Sequence, residues 1–266
     1  MRNILIFIII SCAVSLQSQD RLFTYTYQSN VLNKSQKEIE VVTTFRNGRN
    51  NYYRALKHRL EFELGLGSKI QTSFYLNYSY SNRVVENYGV QSFESNVDYN
   101  FSNEWKFKLS DPVANAIGSA LYFEYTLSPS IMGYEAKIIF DKQLGNIIQA
   151  FNIVGEYEME NMYKSNGNKI DISLLEEKVF ELNYALSFNL KEGLSLGIEL
   201  LNQNGLSKSF NLEYSTFSGG PCLSFNQGAY WINFTILPQI TNLLGFEREL
   251  NNHEKFQTRL IFSYEL

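Results

Sequence analysis

The final eleven residues, FQTRLIFSYEL, alternate almost without interruption. Phe256, Thr258, Leu260, Phe262, Tyr264 and Leu266 fall on one face of an extended chain, and Gln257, Arg259, Ser263 and Glu265 fall on the other. Side chains along a β-strand point to opposite faces with a period of two, so this stretch has one apolar and one polar face. A strand that runs to the last residue and ends on apolar groups suits a closed sheet whose final strand pairs with its first.

The same alternation recurs upstream. Tyr230, Ile232, Phe234 and Ile236 oppose Trp231, Asn233 and Thr235; Leu194, Leu196, Ile198 and Leu200 oppose Ser195, Gly197 and Glu199. Phe180 to Leu190, Ile70 to Tyr80 and Leu56 to Leu64 repeat the pattern, and no helical period competes over these windows. The connections alternate in length. Short ones at Gly67-Ser68, Leu144-Gly145, Glu192-Gly193 and Gln227-Gly228 each carry the glycine that a tight hairpin needs for positive φ. Longer polar ones fall near 82–91, 163–175 and 241–254.

This rhythm predicts strands near 37–46, 53–66, 69–81, 93–109, 116–127, 132–142, 146–162, 176–190, 193–203, 208–225, 228–240 and 255–266. The expected fold is all-β, a single antiparallel transmembrane β-barrel of about 12 strands with a polar, acidic lumen. Fourteen strands is the alternative, with 93–109 open to a break at Ser102-Asn103. The even number and the long-loop, short-turn parity match membrane barrels, with the short turns and the end of the last strand on the periplasmic side. The apolar phase slips between Thr216 and Phe217, which predicts a bulge, and Pro238 is expected to end the membrane part of its strand. Residues 19–36 contain an alternating FTYTY that this parity leaves unpaired. An extra strand, a periplasmic tail and a segment tucked into the lumen remain open for it. The division is thus 1–18, 19–36 and a barrel over 37–266.

Residues 1–18 read as a signal peptide, with Arg2, an apolar run from Ile4 to Ile10 and a small, polar stretch to Ser18. Cys12 after Ser11 raises a lipobox alternative. Beyond Cys12 the chain has Cys222 alone, so no disulfide can form within a chain cleaved after Ser18. A net charge of −4 argues against a nucleic-acid partner. A soluble barrel with its apolar face inward is the bland alternative, but aromatics near strand ends, such as Tyr78, Tyr80 and Trp105, fit interfacial girdles better.

The polar faces carry more carboxylates than bases. Glu61, Glu63, Glu124, Glu135, Glu156, Glu158, Glu160, Glu181 and Glu199, with Glu38, Glu40, Asp98, Glu104 and Asp141, oppose Lys57, Arg59, Lys106, Lys108, Lys137, Arg259 and Arg46. In a membrane barrel this face lines the lumen, and an acidic excess favours cations over anions. Glu156, Glu158 and Glu160 form a ladder toward the outer mouth. Two readings follow: a narrow channel for passive passage of small cationic or neutral solutes, or an occluded barrel with a structural or binding role. A lipid-modifying enzyme is a third class, but a nucleophilic Ser needs a base within reach. His58 and His253 are the two histidines, and neither stands in a His-x-Ser pattern. No catalytic residue, metal site or cofactor is expected, since two isolated histidines and one cysteine do not make a zinc site.

The phrases IEVVTTFRNGR, HRLEFELGLGSKIQTSFYLNYS and GPCLSFNQGAYWINFTILPQITN resemble the strand–turn–strand phrases of small outer-membrane barrels of Gram-negative bacteria, particularly uncharacterised, transporter-like families of the Bacteroidota. Phe262, Tyr264 and Leu266 resemble the C-terminal assembly signal of such proteins, with Leu where an aromatic is usual. The resemblance implies an outer-membrane location, insertion by the outer-membrane assembly machinery, and contact with membrane lipids and lipopolysaccharide. A monomer is expected.

Overall fold

A computed structural model describes residues 21–266 except 88, 89 and 168. The expected signal peptide lies outside the described residues. The strands are β1 (Lys37–Asn47), β2 (Tyr53–Gly65), β3 (Ile70–Asn87), β4 (Val90–Ser110), β5 (Gly118–Leu127) and β6 (Ile131–Leu144), followed by β7 (Ile147–Asn166), β8 (Lys169–Lys191), β9 (Leu194–Leu206), β10 (Leu212–Gln227), β11 (Tyr230–Asn242) and β12 (Phe256–Glu265). They form one closed barrel in which each strand pairs antiparallel with its sequence neighbours and β12 closes on β1. Val41 faces Phe262 and Ile39 faces Tyr264 across this seam, and the Leu266 amide donates to the Lys37 carbonyl at 2.9 Å. The last strand therefore pairs on both sides, and no sheet edge is left within the wall.

The apolar faces point outward. Leu60, Phe74, Leu76, Leu121, Ile138, Leu196, Leu223 and Phe262 are all exposed, as are Tyr78, Tyr80 and Trp105, while Glu38, Glu61, Glu104 and Glu199 are buried. A soluble protein does not expose a continuous apolar belt of this size. Apolar side chains outside and carboxylates inside are the arrangement of a barrel that crosses a bilayer.

The turns sort by end. Residues 66–69, 111–117, 145–146, 192–193 and 228–229 lie at the end where β1 begins and β12 finishes. Gly145, Gly193 and Gly228 adopt positive φ there, but Gly67 does not; the Leu66 and Gly67 amides instead both turn onto the Ile70 carbonyl. In the turn at 111–117, Asp111 accepts hydrogen bonds from the Val113 and Ala114 amides, both at 2.9 Å, and from Lys108 Nζ at 2.7 Å. The Lys108 bond and these amides hold its carboxyl down to about 2.

At the opposite end two expected loops prove to be strand. The β3–β4 ladder continues to Asn87↔Val90 and the β7–β8 ladder to Asn166↔Lys169, so 82–91 and most of 163–175 are hairpin arms rather than loops. Beyond the hydrocarbon both faces of a hairpin are wet. An apolar count therefore ends before the ladder does. Residues 93–109 form a single strand, and the barrel has twelve strands rather than fourteen. The expected irregularity falls between Phe217 and Ser218, and the ladder with β11 passes from Thr241 to Gln239, leaving Ile240 over. β11 runs through Pro238, as the predicted strand over 228–240 does; the β10–β11 register skips Gly219–Pro221, so the missing proline N–H interrupts no ladder bond on that side.

Residues 21–36 turn into the lumen. Phe23, Thr24, Thr26, Ser29 and Leu32 are fully or almost fully buried there. The segment joins the wall at the rim where β1 begins: the Ser35 amide donates to the Gly65 carbonyl at 2.8 Å and the Gly65 amide to the Gln36 carbonyl at 3.0 Å. A Cβ at Gly65 would lie 1.9 Å from the Asn33 carbonyl oxygen, so glycine lets the segment pass flat against β2. Gly65→Val is expected to leave a closed, heat-modifiable barrel while displacing the inner segment. Chymotrypsin should then cut faster at Phe23, Tyr25 or Tyr27. Unchanged cleavage in a closed barrel would refute this placement of the segment.

Candidate functional site

The alternation FTYTY is resolved in the lumen. Phe23 packs with Ile148, Ala150, Ala185 and Cys222 from β7, β8 and β10. Tyr25 packs with Leu201 and Leu237 from β9 and β11. Tyr27 lies against Ala120, Tyr122 and Ile139 from β5 and β6, with its ring edge-on to Tyr122 at 5.2 Å. Three aromatics thus reach three sectors of the wall, and the backbone between them crosses the lumen.

Polar wall residues hold that backbone. Glu199 on β9 takes the amides of Thr24, Tyr25 and Thr26 at 2.8, 2.8 and 2.9 Å, and the hydroxyls of Thr24 and Thr235 at 3.1 and 2.7 Å. Hydrogen bonds to a charged acceptor contribute about 1.5–3 kcal/mol each, though not additively. Asn152 on β7 grips Tyr27 from both sides, accepting its amide at 2.6 Å and donating to its carbonyl at 2.9 Å. Gln71 on β3 accepts the Leu32 amide at 2.9 Å, and Arg259 on β12 donates to the Thr24 carbonyl at 3.0 Å while its guanidinium lies 3.8 Å from the Tyr25 ring centre. Arg21, at 4.1 Å, and Lys137, at 4.0 Å, both sit over the Tyr27 ring, where a cation meets the negative π-face.

Among the described residues, two cavities lie against the segment. One, of about 410 Å³, is lined by Arg21, Arg46, Lys57, Arg59, Lys137 and Arg259 and by Glu61, Glu124, Glu135, Glu156, Glu158 and Glu181. The other, of about 20 Å³, lies among Glu38, Glu40, Glu63, Glu104 and Lys106, with Arg21 and Tyr27 between the two. The acid excess expected along the whole lumen is therefore concentrated on the side of the segment nearer the start of β1. The larger cavity carries as many basic as acidic residues.

Arg59 pairs with Glu124 at 3.5 Å and Lys137 with Glu135 at 2.6 Å. Lys106 is buried near the smaller cavity, and Lys108 stands near the end of β4, 2.7 Å from Asp111. Glu160 is half-buried beyond Glu158 on β7. Phe262, Tyr264 and Leu266 point outward at the seam. His58 is held by the Thr43 hydroxyl at 3.0 Å and stacks near Tyr78, so its hydroxyl partner is a threonine rather than a serine.

Sequence reasoning placed Glu199 in the lumen without foreseeing its partner and did not single out Asn152 or Gln71, because an inward polar residue reads the same whether it meets water or a backbone amide. It also missed a group of three carboxylates. Glu38, Glu40 and Glu63 each bring an oxygen within 4.8 Å of the others. Trp231 Nε1, at 2.5 Å, and the Ser263 hydroxyl donate to Glu38, Gln71 Nε2 donates to Glu63 at 2.8 Å, and Arg21 stands 3.8 Å from Glu40. Protein donors already engage this group.

The loop at 243–255 folds over the outer rim. Glu254 takes Arg49 at 2.5 Å and stands 3.9 Å from Arg46, which lines the larger cavity, and His253 packs on Tyr214 with ring centres 4.2 Å apart. Burial holds the His253 imidazole below its ordinary value, and Arg46 and Arg49 outweigh burial to hold the Glu254 carboxyl below its own. In both cases the unfolded loop binds protons more readily than the folded one, so stability rises with pH. The loop is expected to be fully held near pH 7 and to loosen as pH falls below about 6.5, first as His253 charges and then as Glu254 is neutralised. Protection factors at 249–255, taken against the intrinsic exchange rate at each pH, should fall across that window, and constant protection between pH 7 and pH 4 would refute it.

The barrel is similar in fold to a NanC porin (TM-score 0.53, 10% identity, covering 86% of this chain and 100% of that one). It is also similar to the KdgM porin in complex with disordered oligogalacturonate (0.52, 10% identity, 86% and 99%). The beta domain of the Bordetella autotransporter BrkA is a third neighbour (0.55, 8% identity, 88% and 100%). At these identities the likeness is one of architecture, and porin channels are among its bearers. No curated protein matches the sequence. The model of a family of unknown function, DUF6662, matches residues 15–266, and the chain belongs to that family.

Proposed function

We propose that this protein is a porin-like barrel of the Gram-negative outer membrane, closed at mid-height by its own N-terminal segment, and that it passes small polar solutes when that segment withdraws. The observation that carries this reading is the division of the lumen into an outer cavity of about 410 Å³ and an inner one of about 20 Å³ by residues 21–32. The likeness to porins supports transport over chemistry, as does the pairing of His58 with a threonine. Insertion through the outer-membrane assembly machinery with Phe262, Tyr264 and Leu266 as the terminal signal, a monomeric state, and lipopolysaccharide around the outer belt belong to the same proposal.

A cation preference follows for the open state. Withdrawal of the segment removes Arg21 and uncovers Glu199, Glu38, Glu40, Glu63 and Glu104, and an acidic path repels anions. The permanently closed barrel is the second reading. It is favoured by the full burial of Phe23 and by the backbone clamps from Glu199 and Asn152.

Planar-bilayer recording separates the two. The intact protein is expected to be mostly silent. A variant lacking residues 21–34 should show discrete steps with a reversal potential on the cation side, and Glu199→Ala should show brief openings between these extremes. A deletion variant that runs as a folded, heat-modifiable barrel yet stays silent refutes the transport reading.

A further inference from the structure

The charges around the larger cavity are partly separated, with Glu61 on β2 and Lys137 on β6 standing against the trend. In the ring order, β7 lies six strands from β1 in either direction, so the β12–β1–β2 sector faces the β6–β7–β8 sector across the lumen. Arg46 on β1, Lys57 on β2 and Arg259 on β12 belong to the first sector, and Glu156 and Glu158 on β7 and Glu181 on β8 to the second; all six line the same cavity.

Much of this charge is unspent. Arg59 and Lys137 are neutralised by Glu124 and Glu135. Among the described residues, Lys57 has neither an ion pair nor a hydrogen bond, and Glu156 and Glu158 have no cation within salt-bridge distance. Arg259 is directed at Thr44, the Thr24 carbonyl and the Tyr25 ring rather than at a carboxylate. On the basic side the Tyr25 hydroxyl, Arg46 Nε and Gln257 Oε1 are buried without a protein partner, and on the acidic side so is Asn183 Oδ1. A buried polar atom is normally hydrogen-bonded, so these atoms mark places where a solute can bond.

We infer that the outer cavity is a binding site for a zwitterion, and that a short peptide with free termini fits it: the carboxylate toward Lys57, Arg46 and the Tyr25 hydroxyl, the ammonium toward Glu156 and Glu158. Opposed charges across a cavity, with Lys57 lacking a carboxylate and Glu158 lacking a cation, reward a solute with the complementary dipole and penalise one that presents a single sign to both walls. A twelve-stranded barrel with tilted strands about 4.8 Å apart is roughly 24 Å across between backbones, and the Lys and Glu side chains close about half of that. The remaining charge separation matches an extended peptide of about three residues at roughly 3.5 Å each. The inference rests on the outward cavity that the proposed function uses, but not on the opening of the segment beneath it.

Titration calorimetry of the intact, detergent-folded protein tests it, with trialanine as the probe. Saturable binding is expected for trialanine. N-acetyl-trialanine amide, which has the same shape without the charged ends, should bind at least about tenfold more weakly, the scale of one lost charge-assisted bond. Lys57→Gln and the pair Glu156→Gln, Glu158→Gln should each weaken trialanine by about tenfold while leaving the blocked peptide unchanged. Lys57 has no partner in the wall, so its variant should fold, and heat-modifiable migration checks that it does. Equal binding of free and blocked peptides overturns the inference, as does the absence of trialanine binding to the folded protein. Either result leaves the bilayer comparison of intact and segment-deleted protein standing on its own, so failure of the site and failure of the transport reading are distinguishable.

Discussion

In hydrocarbon an unpaired backbone amide costs several kcal/mol, and every other feature of this barrel follows from meeting that cost by closing β12 on β1. Closure needs an even set of antiparallel strands when both termini lie on one side. It fixes which side chains face lipid, because the period of two leaves no freedom once one strand is placed. The apolar row from Phe256 to Leu266 is set outward, and the polar residues of every other strand are then forced inward.

An inward polar face creates the next problem. Twelve strands enclose more space than their own side chains fill, and carboxylates such as Glu199, Glu38 and Glu61 are buried from bulk water. The N-terminal segment answers part of it. Its backbone supplies three consecutive amides to Glu199, so one carboxylate exchanges water for fixed donors and the segment gains an anchor at the same contact. Asn152 and Gln71 repeat the arrangement at Tyr27 and Leu32. The aromatics at 23, 25 and 27 then fill the gaps between small wall residues such as Ala120, Ala150 and Ala185.

How much of this was legible depends on which neighbours a residue needs. The wall was readable because alternation is local: Ile70 to Tyr80 declares a strand with no knowledge of its partners, and the glycines at 145, 193 and 228 declare turns by the φ they permit. The hairpin arms beyond residues 82 and 163 were not, because strand pairing outside the membrane needs no apolar face. The path of residues 21–36 was visible only as an unassigned FTYTY. Its seat depends on Glu199, Asn152 and Gln71, more than a hundred residues away in two of the three cases, and an inward Asn or Glu carries no mark of what it will bond. The charge balance of the lumen was misjudged for the same reason: summing the polar faces gives an acidic total but not its division into a balanced outer cavity and an acidic inner one.

That division couples closure to selectivity. With the segment in place, Arg21 stands near Glu40, and Glu199 is screened by five donors, so the interior that a solute can reach from outside is close to neutral overall and polarised across its width. Withdrawing the segment takes away a cation and those amide donors together and joins the outer cavity to the carboxylates below it. In the proposed opening, one movement changes a closed, dipolar chamber into an open, net-negative path. A solute held across the outer cavity also lies above Thr24, Tyr25 and Tyr27, which line its floor, so occupancy and the position of the segment are linked wherever the solute binds the two states unequally.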